Sequence, residues 1–135
     1  MKYPILIQKD AQSDYGVIVP DLAGCFSAGQ TVEEAIDNAQ EAILTHVEGL
    51  LIDNDPVPAP MSIKDLKEHY RDKGSLWAIV EVDFSKLSKK MARVNISVPE
   101  NLLSKIDSYA TKTGATRSGM LVNAALEYIS NHSDQ

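Results

Sequence analysis

Cysteine is almost absent from this 135-residue chain. The lone thiol, Cys25, excludes an intrachain disulfide and any zinc site built on a cysteine pair, so its expected role is that of a small buried hydrophobe. No apolar run approaches the length of about 20 residues that a membrane-spanning helix needs. The first residues, MKYPILIQKDAQSDYG, carry too short an apolar run for a signal peptide, so the expected location is the cytoplasm. The three histidines, His46, His69 and His132, stand alone, without a second His or Cys at ligand spacing. There is no phosphate-cradling glycine loop and no Ser/His/Asp or Cys/His pattern. These gaps argue against a metal site, a cofactor and nucleophilic catalysis.

A surplus of positive charge is also missing: the formal net charge is −6. The charge is unevenly spread, however. Residues 1–90 hold 9 Lys/Arg against 15 Asp/Glu, whereas residues 91–135 hold 4 against 4. At the junction Lys86, Lys89, Lys90 and Arg93 meet no acid before Glu100. An acidic first part and a basic junction suit two partners of opposite sign, a basic protein and a polyanion, although a solvated linker beside an acidic surface would look the same.

What is present reads as two units. Tyr3 to Gln8 and Tyr15 to Val19 are β-rich runs joined by a polar turn, and after the loop DLAG a third strand is expected over Cys25 to Ala28. The period then changes. Thr31 and Glu34 form a capping box, and Val32, Ala35, Ile36, Ala39, Ile43, Val47 and Leu50 recur at helical spacing, with Glu33, Asp37 and Glu41 on the outer face. DNDPVPAP ends that helix. Ser62 caps a short second helix running to about Arg71, and Leu76 to Val82 alternates as a returning strand. One sheet with helices packed on it makes an α/β sandwich.

The second unit is smaller. Arg93-Val94-Asn95-Ile96-Ser97-Val98 alternates polar and apolar until Pro99, which predicts a strand. Leu102, Leu103, Ile106, Tyr109 and Ala110 follow at helical spacing as far as Gly114, and Met120, Leu121, Ala124, Ala125, Tyr128 and Ile129 are expected on the inner face of a second helix. A lone strand has no ladder partner within such a module, so it must find a copy of itself. Antiparallel pairing about a two-fold axis would bury a dimer core of Val94, Ile96 and Val98 and would set both copies of Arg93, Asn95 and Ser97 on one ribbon face. That ribbon fits a DNA major groove, where Arg suits guanine and Asn suits adenine.

Both units resemble known families. YPILIQKD, DYGVIVPDLAGCFSAGQTVEEAIDNAQEAI and DPVPAP resemble the N-terminal domain of HicB antitoxins, and RVNISVPENLLSKIDSYATKTGATRSGMLVNAALEYI resembles ribbon-helix-helix repressors. The first resemblance implies a partial RNase H-like fold that binds and occludes a small basic HicA-type ribonuclease. The second implies that Thr116, Arg117 and Ser118, opening the second helix, meet a DNA phosphate. The expected architecture is α+β: a toxin-binding domain over 1–85, a linker at 86–91, and a ribbon-helix-helix DNA-binding domain over 92–135.

Tyr15, Asp21, Ser27, Glu33, Asp37 and Glu41 are the expected toxin-binding residues, and operator DNA is the second partner. The chain is expected to be a homodimer through its C-terminal strand, with a tetramer left open, and to have no catalytic residue, metal or cofactor. Two alternatives carry less: a ligand-sensing repressor without a toxin, and an RNase H-like nuclease, whose metal-clamping chemistry needs a carboxylate cluster where Asp10, Asp14 and Asp21 occupy turns at strand ends.

Overall fold

The computed structural model describes residues 1–9, 11–70, 75–87 and 91–132. Four antiparallel strands form one sheet in the order β3-β2-β1-β4: β1 (Lys2–Lys9), β2 (Tyr15–Ile18), β3 (Phe26–Gly29) and β4 (Leu76–Glu81). Pairing of Ile7 with Val17 and of Tyr3 with Val80 fixes the register. Since directly paired residues share a face, Tyr3, Ile5, Ile7, Val17 and Val80 all point to one side. All five are buried there.

Helix α1 (Val32–Ile52) covers that side. Its buried stripe, Ala35, Ala39, Ile43 and Val47, repeats every fourth residue, and burial of each larger side chain contributes roughly 1.5–3 kcal/mol. Thr31 caps the helix, its hydroxyl accepting from the Glu34 amide at 3.1 Å, and the Glu34 carboxylate accepts from the Gln30 amide. At the other end Asn54 takes a left-handed conformation (φ 56°) while the Asp55 amide reaches back to the Leu50 carbonyl at 2.8 Å, which satisfies an orphan acceptor of the last turn. Gly29 lets this helix lie directly on β3. A Cβ at Gly29 would stand 2.4 Å from the Ala35 nitrogen.

The opposite side of the sheet is thinly covered. Leu6 and Leu66 are buried but stand outside the main core, and Tyr70, just past α2 (Ile63–His69), meets Trp77 edge to face. The proline segment between α1 and α2 is tied down by the Tyr3 hydroxyl, which donates to the Pro58 carbonyl at 2.8 Å, and by Asp21 Oδ1, which accepts from the Met61 amide at 3.1 Å.

After β4 comes a 3-10 turn (Phe84–Lys86), then α3 (Glu100–Lys112) and α4 (Arg117–His132). Gly114, at φ 72°, makes the left-handed stop between the two helices. Two sequence expectations need correction. Residues 93–98 carry no strand in the single chain, because a strand exists only with a ladder partner and none of the four strands takes that role. The face of α4 turned toward its own chain is Gly119, Asn123, Leu126 and Ser130, whereas Ala124, Ala125, Tyr128 and Ile129 are exposed. Periodicity located an apolar stripe on α4 but could not say that this stripe is unused within one chain. Asp10, Arg71, Lys89 and Lys90, all of which bear on the sequence expectations, lie outside the described residues.

Candidate functional site

Two surfaces stand out, one in each unit. In the C-terminal unit Val94 is 79% exposed and Ile96 64%, with Val98 half-buried. Leu102 and Tyr109 on α3, and Val122, Tyr128 and Ile129 on α4, are exposed as well, while Ile106 and Ala110 hold α3 against the rest. Beside them lies a groove lined by Leu102, Ile106, Tyr109 and Met120. So many large apolar groups in water on one 42-residue stretch, 91–132, exceed the scattered exposure of an ordinary surface. Arg93, Asn95 and Ser97 are all exposed and alternate with Val94 and Ile96.

The three residues expected at the phosphate site occupy the start of α4. Thr116 caps it, its hydroxyl accepting from the Gly119 amide at 3.0 Å. Arg117 is engaged with α3: its Nε and guanidinium nitrogen donate to the two carboxylate oxygens of Asp107, each at 2.8 Å. The Arg117 hydrogen bonds hold the Asp107 carboxyl below the usual carboxylate range. This two-pronged pair fixes the turn between the helices, so what the helix start can offer an anion is backbone N–H from Arg117 and Ser118.

In the N-terminal unit the expected residues separate into three groups. Glu33, Asp37 and Glu41 form an exposed stripe along α1. Tyr15 and Ser27 point to the side of the sheet that α1 covers and are half-buried, with the Lys9 ammonium 4.9 Å from the centre of the Tyr15 ring. Asp21 is a structural tether. Burial pushes its carboxyl up, against the lowering effect of the Met61 hydrogen bond, and Oδ2 is buried with no partner among the described residues. Tyr3 beside it is also pushed up, by burial and by the Asp21 charge. The structure therefore does not gather all six on one patch.

It does bring Glu41 into a groove with Phe26, Asn38 and His46 between α1 and the edge of the sheet. Asn38 Nδ2 donates to the Ala28 carbonyl at 2.8 Å, which occupies an acceptor of that edge strand. Phe26, 64% exposed, is the residue sequence reasoning missed here. Alternation along a strand that turns Ser27 inward must turn Phe26 outward, and that signal was available in the sequence. Among the described residues no group of three or more His, Cys, Asp or Glu could hold a metal ion, and no helix is long and apolar enough to cross a membrane.

Both candidate regions are open surfaces, the geometry of a protein that meets other macromolecules. Residues 3–125 match the model of the HicB-like antitoxins of bacterial toxin–antitoxin systems, and the chain belongs to that family. It is 42% identical over 109 residues to an uncharacterized 14.9 kDa protein of the rep–hol intergenic region of Haemophilus phage HP1, covering 81% of each chain. A solved structure of the Burkholderia pseudomallei antitoxin HicB is similar at 42% identity and a TM-score of 0.77, over 96% of this chain and 98% of that one. A chain from the HicA3 and HicB3 toxin–antitoxin complex matches 62% of this chain and 99% of its own length, at 32% identity and a TM-score of 0.52. The protein is thus an antitoxin of a toxin–antitoxin system, with a mixed α+β fold of one antiparallel sheet and four helices among the described residues.

Proposed function

We propose that this chain neutralises a HicA-type ribonuclease toxin by covering it with residues 1–85, and represses its own operon through a ribbon formed by residues 92–98 of two copies. The observation that carries the reading is the exposure of Val94 and Ile96 on a segment without a ladder partner, beside the exposed apolar faces of α3 and α4. Antiparallel pairing of two such segments satisfies their backbone groups and buries these side chains beneath four helices, giving a ribbon-helix-helix module over 92–135. Arg93, Asn95 and Ser97 then line the ribbon's outer face, with Thr116 to Ser118 flanking it to receive phosphates.

The N-terminal sheet, with α1 across one face, supports the reading of a partial RNase H-like domain that acts by occlusion and performs no chemistry of its own. Its partner is the toxin, a reading supported by its likeness to a chain of a HicA3 and HicB3 toxin–antitoxin complex. The Glu33, Asp37 and Glu41 stripe supplies charge for a basic partner, with Tyr15, Ser27 and the groove beside Glu41 as flanking contacts. A separation-of-function variant tests the division. The full chain carrying Arg93→Ala and Asn95→Ala should protect RNA from the co-encoded toxin as well as the unmodified chain does, while failing to shift its promoter in a gel. Loss of both activities together, or of neither, would contradict it.

A further inference from the structure

The stripe of α4 that sequence periodicity overlooked is where the two units meet. Asn123 makes three hydrogen bonds there: Oδ1 accepts from the Phe84 amide at 2.8 Å, and Nδ2 donates to Asp83 Oδ1 at 2.9 Å and to the Gly119 carbonyl at 2.8 Å. Asp83 Oδ1 also accepts from the Ser85 hydroxyl and amide, at 2.6 and 3.0 Å, which fixes the 3-10 turn beneath it. Phe84 is buried, and Leu126 of α4 belongs to the same apolar core as Tyr3, Ile43 and Val80. Gly119 lies beside this turn: a Cβ there would crowd the Thr116 hydroxyl of its own helix cap at 3.1 Å and would meet Ser85 only at the ordinary contact distance of 3.6 Å.

A flexible tether would need none of this. A half-buried amide held by three hydrogen bonds, beside the buried Phe84 and Leu126, holds two bodies in one orientation. We infer that Asn123, locked to Asp83 and Phe84, is a positioning residue for operator recognition: it holds the N-terminal domain at a fixed attitude to α4, so that the two N-terminal domains of a dimer ride rigidly on the ribbon. Asn123 itself lies on the stripe facing the 3-10 turn, and its hydrogen bonds go to Phe84, Asp83 and Gly119, not to Arg93, Asn95 or Ser97. It acts on DNA only through placement. The DNA arm of this inference rests on the repressor reading above, but the rigidity arm does not.

The test is ¹⁵N relaxation on the full-length chain, comparing rotational correlation times from the sheet with those from α3 and α4, alongside gel-shift affinity for a duplex of the chain's own promoter. The unmodified protein should show one shared time. Asn123→Asp keeps the shape and an acceptor for the Phe84 amide but sets a second carboxylate against Asp83, so the sheet should tumble faster than the helices and operator affinity should fall by about threefold to tenfold. The double variant Asp83→Asn with Asn123→Asp places a donor opposite an acceptor again and should restore the shared time at least in part, which a loss of folding would not do.

Different times in the unmodified protein, or a shared time that survives Asn123→Asp, would overturn the lock. Split tumbling with unchanged operator affinity would overturn the positioning role. A failure of the unmodified chain to bind the duplex at all would instead count against the repressor reading, and the tumbling comparison would still decide the lock.

Discussion

The sheet and α1 close an apolar core within one chain, whereas residues 91–132 leave many of their large apolar side chains exposed. In the first, every fourth residue of α1 from Ala35 to Val47 is buried against Tyr3, Ile5, Ile7 and Val17. In the second, an equally regular pattern leaves Val94, Ile96, Tyr128 and Ile129 in water. The same rule of apolar periodicity wrote both. The difference is whether the complementary surface lies in the same chain, and where it does not, the exposed stripe becomes the specification of a partner.

The sharpest way to break this comparison is to place charge among those exposed side chains. Ile96→Asp should cost several kcal/mol for each buried ion, since the two-fold axis brings two unpaired carboxylates together. Sedimentation should then show monomers, while circular dichroism of the sheet domain is retained. Gly29→Ala applies the converse insult. Its new Cβ meets the α1 backbone, so we expect about 3 kcal/mol of destabilisation from overpacking, read as a lower denaturant midpoint with dimerisation intact.

Smaller effects sharpen the picture. Arg93→Ala or Asn95→Ala alone should leave thermal stability unchanged and weaken operator binding by about 1–3 kcal/mol for each base that the ribbon no longer reads, measured by gel shift. The weakest effect concerns Asp21, whose carboxyl is raised by burial. A folded-state value above the unfolded one means the folded state favours the proton, so stability is lost as pH rises from the ordinary carboxylate range through the raised value. Asp21→Asn keeps an oxygen for the Met61 amide and should remove that loss. The gain at pH 7, about 0.5 kcal/mol at most once solvent screening is allowed for, should vanish near pH 4 in parallel chemical denaturation curves.

Most of the fold was legible in the sequence because its signals are local. The Thr31 cap, the α1 stripe, the proline segment and the left-handed stop at Gly114 each depend on residues a few positions apart. The strand at 93–98 was legible as an alternating pattern, but a ladder is not a local signal, and the single chain supplies none for it. The packing of α4 on the 3-10 turn was not legible. It joins Asn123 to Asp83 across 40 positions through two polar side chains, a type that announces no such contact from sequence. The tether from Asp21 Oδ1 to the Met61 amide spans 40 positions and was likewise not legible.

The central claim is that residues 92–132 are completed by a second copy of the chain, and sedimentation equilibrium of the full-length protein from nanomolar to micromolar concentration tests it most directly. The account predicts dimers, or assemblies of dimers, at micromolar concentration, with any dissociation on dilution accompanied by loss of helicity from α3. A monomer that keeps its full helical signal at micromolar concentration would contradict it.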